Sequence, residues 1–88
     1  MKIGMYRYLT QYEDRGYGDI REHTYQVLAV DLMERLDPCG NGTIVGRRQA
    51  EDTFTYFYEL QVFRYRVNFV RVIRDAQKMK EIYELWNS

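Results

Sequence analysis

The stretch from Thr53 to Ile73 constrains the fold more than any other part of the chain. Phe54, Tyr56, Tyr58, Leu60 and Val62 alternate with Thr55, Phe57, Glu59 and Gln61, in the period of two that a pleated strand imposes. At Val62–Phe63 the phase flips. Phe63, Tyr65, Val67 and Phe69 become the apolar set, and Arg64, Arg66 and Asn68 the polar one. Aromatic and β-branched residues dominate, which favours strand. A helical stripe of Gln61, Arg64, Asn68 and Arg71 competes, but it leaves Glu59 and Arg66 on its apolar side. One strand of about 20 residues would far exceed the usual length of about 3–10. The phase change therefore predicts two strands, near 53–62 and 63–73, separated by a bulge, bend or break.

The rest of the chain supplies partners for these strands. Residues 2–12 alternate, with Ile3, Met5 and Leu9 on one side and Tyr6, Tyr8, Thr10 and Tyr12 on the other, and read as a strand. The charged, glycine-bearing run Glu13–Gly18 reads as a loop. Residues 19–36 carry signals for both helix and strand. Asp19 and Glu22 have capping-box spacing, Tyr25, Leu28, Ala29, Leu32 and Leu36 share one helical face, and Pro38 stops the run. The segment Thr24–Val30 is nevertheless rich in β-formers. Helix is the expectation, because capping, spacing and stop signal agree.

Asp37-Pro38-Cys39-Gly40-Asn41-Gly42 follows as a tight loop whose two glycines permit positive φ. It has a partial likeness to a calcium loop, but Cys39 stands at the third ligand position and Arg48 at the twelfth, where a bidentate glutamate is needed. An Asn-Gly turn explains it better. A short strand is expected near 43–48. Asp75 then caps an amphipathic helix near 75–86, with Met79, Ile82, Tyr83 and Trp86 at helical spacing. The fold expected is α+β: a small antiparallel sheet and two helices in one domain over residues 1–88.

Composition narrows function mainly by exclusion. Lys plus Arg and Asp plus Glu both number 13, so the net charge is zero, against the basic excess usual in nucleic-acid-binding domains. A single cysteine, Cys39, forbids an internal disulfide, and a single histidine, His23, leaves no zinc set. No basic segment followed by an apolar run of about 7–15 residues opens the chain, and no apolar run of about 20 residues exists. A cytoplasmic protein with no membrane partner, no metal and no cofactor is expected. The glycines match no nucleotide-binding fingerprint, and nothing in the spacing of His23 and Cys39 supports a nucleophile–base pair.

Two biases remain: ten arginines against three lysines, and nine tyrosines. Both types are enriched at protein interfaces, although both also suit half-buried sheet positions. The segment 53–73 is apolar on both faces, which calls either for helices on both sides or for a partner on one. The leading expectation is a non-enzymatic protein-binding module, of the kind a phage-encoded or accessory inhibitor would be, blocking a macromolecular surface by steric occupation. Its anchors would be Arg64, Arg66 and Asn68 in a row, extended by Arg47 and Arg48, with Tyr56 and Tyr58. A homodimer across the spare apolar face is a further expectation. The alternative is a nucleic-acid-binding domain using the same Arg/aromatic face. A metal-independent ribonuclease toxin built from Arg64, Arg66, Tyr65, Glu59 and His23 ranks third.

Overall fold

The computed structural model describes residues 6–87. Ile3 and Met5 of the expected first strand lie outside that range. Five strands form one antiparallel meander in chain order: β1 (Tyr6–Asp14), β2 (Ile20–Leu28), β3 (Gly42–Gln49), β4 (Thr55–Phe63) and β5 (Arg66–Val72). Helix α1 (Ala29–Arg35) lies between β2 and β3, and α2 (Ala76–Trp86) follows β5. The sheet curls until the edge strand β1 comes against the other edge, β5. The expected α+β class and closing helix are therefore present.

The phase flip has a simple cause. β4 and β5 are joined by a two-residue turn, Arg64–Tyr65, so Phe63 pairs with Arg66 and the inward parity changes from even to odd. Tyr58, Leu60 and Val62 point inward from β4, as do Val67 and Phe69 from β5. A bulge does occur, but further along: Glu59 opposes Arg71 while Leu60 opposes Phe69, leaving Val70 as the extra residue.

Residues 19–36 require a correction. They are strand to Leu28 and helix only from Ala29 to Arg35. Asp19 is not a helix cap; its backbone closes the β1–β2 turn by accepting from Arg15 N–H and donating to the Gly16 carbonyl. The β-forming run Thr24–Leu28 finds a partner in β1 through nine consecutive register pairs, from Tyr6–Leu28 to Asp14–Ile20. Such a ladder outweighs a local capping signal.

Both faces of the sheet are covered, each in a different way. The inner face closes on itself: Tyr25, Val27, Ile44, Tyr58, Leu60, Val62 and Val67 form one buried cluster, with Leu32 and Leu36 of the α1 region packed against it. The outer face is covered by α2, whose Ile82 and Trp86 bury against Phe57, Leu28 and Ile73. Asp75 caps α2 by accepting from Lys78 N–H at 2.8 Å, and Glu59 reaches Lys78 at 3.7 Å and Arg71 at 3.5 Å. Trp86 stacks on Tyr6 with centroids 5.4 Å apart, meets Phe57 edge-on at 5.6 Å, and carries the Arg47 guanidinium 4.5 Å above its ring.

Among the described residues one charged side chain is buried. Asp31 of α1 is 4% exposed, and burial raises its pKa against the opposing pull of Arg35, which lies at 3.4 Å. No helix of the described residues is long and apolar enough to cross a membrane.

Candidate functional site

The residues expected to act together fall in three places. Arg64 and Tyr65 form the β4–β5 turn, so Arg64 is not part of a strand row. Arg66 and Asn68 do share the outer face of β5, beside Phe63 and Gln61 of β4. Arg47 faces outward too, but as a clamp. It donates to Gln26 Oε1 at 2.7 Å and lies over Trp86, fixing the end of α2 to the sheet. Arg48, the next residue, points inward with Tyr56 and Tyr58. Adjacent strand residues point to opposite faces, so Arg47 and Arg48 cannot extend one row.

The β4–β5 tip is the most prominent of the three. Phe63 is 51% exposed and Tyr65 92%. Arg64 and Tyr65 both have positive φ, +50° and +66°, the sign of a type I′ turn. Such turns favour Asn-Gly, because a residue with Cβ in the left-handed region costs about 1–2 kcal/mol. The turn is held by Asn41, whose Oδ1 accepts from Arg64 N–H at 2.8 Å. Asn41 itself sits in a loop folded by Asp37, whose Oδ1 accepts from the N–H groups of Cys39 and Asn41, both at 2.9 Å. The partial calcium-loop pattern is thus an Asx turn that supports the tip. The Arg64 guanidinium lies 5.2 Å from the centroid of the Phe63 ring.

The inner face forms the other site. α1 packs at one end of the curl, whereas the opposite end is an open cavity of about 820 Å³ lined by residues from all five strands. Across β1 and β2, His23 Nε2 lies 3.0 Å from Glu13 Oε1, and Tyr25 donates to Gln11 Oε1 at 2.9 Å. The hydrogen bonds from His23 and Arg15 hold the Glu13 carboxyl below its ordinary pKa. Arg48 stacks over Tyr58 at 4.7 Å and Tyr25 at 5.3 Å, and its Nε is buried without a hydrogen-bond partner. Burial pushes the Tyr58 phenol up, and Arg48 opposes that shift. Tyr56 stands beside Tyr58 and donates to Asp52.

β2 pairs with β3 only at Gln26–Arg47 and Val27–Gly46. Beyond those pairs the strands part, and an outer groove of about 310 Å³ shares Glu22, His23, Arg48 and Gln49 with the inner cavity. The β1–β2 ladder makes His23 and Glu13 diagonal neighbours; a sequence reading that makes residues 19–36 helical separates them. Among the described residues no group of three or more His, Cys, Asp or Glu side chains converges to hold a metal, and Cys39, exposed in the α1–β3 loop, lines neither cavity. The five residues of the ribonuclease set are likewise scattered over the tip, the outer face and the cavity rim. No protein-family model, curated protein or solved structure matches the chain.

Proposed function

We propose that the chain is a small protein-binding module that acts by steric occupation of a partner's surface, with the β4–β5 tip as its contact. The supporting observation is the turn itself. Arg64 and Tyr65 hold left-handed backbone at a site where Asn-Gly would close the same hairpin without strain. Tyr17 and Thr53 carry positive φ singly, and the tip is the one place among the described residues where two successive non-glycine residues do so, strain of the kind retained at functional sites. The tip also presents the residue types that dominate interface energetics, an arginine and a tyrosine flanked by an exposed phenylalanine. Arg66 and Asn68 continue this surface along the outer face of β5. An inhibitor that blocks a surface needs no more chemistry than this.

The test is capture of a partner from a lysate of the cells in which the chain acts, using wild type and an Arg64→Glu/Arg66→Glu variant. Reversing two interface arginines is expected to weaken capture at least tenfold, about 1.4 kcal/mol. Both substitutions lie on exposed side chains, so the melting temperature should move little. Equal capture by the two proteins would contradict the proposal. Retention of nucleic acid instead, falling steeply with added salt, would favour a phosphate-binding role for the same arginines.

A further inference from the structure

The cavity at the open end of the sheet has the layout of a ligand site distinct from the tip. Its volume of about 820 Å³ lies within the range of about 300–1,000 Å³ usual for small-molecule pockets. One flank is polar, with Gln11 and His23; the other is apolar, with Phe69 and Val72 of β5. Phe69 is 47% exposed, an aromatic ring at the wall of a cavity rather than in a core. Its centroid is 6.1 Å from that of Tyr58.

The charges in the cavity are unequally satisfied. Glu13 is hydrogen-bonded to His23 and Arg15, Arg21 pairs with Asp19, and Asp52 accepts from Tyr56 and from Phe54 N–H. Arg48 differs. It makes no ion pair with any described residue, and its one hydrogen bond is a 3.3 Å contact to the neighbouring Gln49 carbonyl. Its guanidinium carbon lies 4.7 Å from the Tyr58 centroid and 5.3 Å from that of Tyr25, beside two rings set edge to face. The Arg48 Nε is buried, so its terminal N–H groups are the donors left for a planar acceptor, most effectively a carboxylate or phosphate. A positioned, half-buried cation without a counter-ion is unfavourable unless something supplies the anion.

We propose that this cavity binds a small molecule with one carboxylate or phosphate group on a flat apolar body. Arg48 takes the oxyanion and Phe69 packs against the ring. Gln11 and His23 on the same lining supply hydrogen-bonding groups that orient it. The parting of β2 from β3 gives the ligand a second way in beside the open end.

Amide-detected NMR titration tests this with three probes: benzoate, adenosine 5′-monophosphate and inorganic phosphate. Benzoate or the nucleotide should shift resonances of Gln11, His23, Arg48 and Phe69 saturably, and inorganic phosphate should do so at least tenfold more weakly. Arg48→Gln should cut the affinity at least tenfold while leaving the spectrum dispersed. Phe69→Ala, at a half-exposed position, should weaken the ring-bearing probes severalfold and leave phosphate unchanged, and it decides the matter if Arg48→Gln fails to fold. A preference between benzoate and nucleotide identifies carboxylate or phosphate as the natural group. No saturable shift with either ring-bearing probe would overturn the proposal, as would equal binding by the Phe69 variant. Arg48 and Phe69 lie away from the β4–β5 turn, so loss of ligand binding here and loss of partner capture there are separate results.

Discussion

Replacing Trp86 with alanine is expected to destabilise the protein by about 3–5 kcal/mol, the usual range for deleting a buried aromatic side chain. Trp86 is 5% exposed and joins three elements: Tyr6 of β1, Phe57 of β4 and Arg47 of β3 all meet its ring. Its loss leaves the outer cluster of Leu28, Phe57, Ile73 and Ile82 without its largest member. It also removes the ring on which the Arg47 guanidinium rests. A domain of this size has roughly 4–13 kcal/mol of stability in all, at about 0.05–0.15 kcal/mol per residue. The variant should therefore melt at least about 12 °C lower, or fail to fold at room temperature. Circular dichroism reads this directly. A loss below about 1 kcal/mol would mean that α2 does not hold the outer face.

Gly42→Ala is expected to cost about 3 kcal/mol, at the upper end of overpacking effects. A Cβ at this position would come 2.4 Å from the Arg35 carbonyl oxygen and 3.1 Å from Leu36 Cδ2. The first obstacle is backbone, so no side-chain rotation relieves it. Either the last turn of α1 or the start of β3 must shift. Gly40→Ala makes an informative contrast. Gly40 has φ of +80° with open space around it, so its cost is conformational only, about 1–2 kcal/mol. Urea titration of the two variants should rank Gly42→Ala as the more damaging. The reverse ranking would show that α1 and β3 separate at Gly42 with little cost.

That contrast illustrates what the sequence conveyed and what it withheld. Gly40 and Gly42 look alike in a loop-forming hexapeptide, and only Gly40 has the positive φ that such a loop suggests. The demand on Gly42 comes from Arg35 and Leu36, which approach it only once α1 is in place. The two strands of 53–73 were legible because period-two patterning is a property of each strand alone, and the phase flip encoded the turn between them. The span 19–36 departs from its helical spacing because that spacing is local, whereas the ladder that overrides it depends on β1.

The candidate sites follow the same logic. Arg66 and Asn68 share a face by simple alternation, so they were legible as a pair. The roles of Arg47 and Arg48 were not, because one is set by Trp86, some 40 residues away in sequence, and the other by the curl of the sheet. His23 and Glu13 belong together only through the register of β1 against β2.

The claim that the β4–β5 tip is kept for recognition rather than for folding has a direct test in Arg64→Asn/Tyr65→Gly. Asn-Gly suits positive φ at both positions, and the backbone N–H bonded to Asn41 is retained. Thermal unfolding and partner capture should be measured side by side. The account predicts a variant about 1 kcal/mol more stable than wild type that has lost capture. A stabilised variant that still captures the partner at full strength would contradict it.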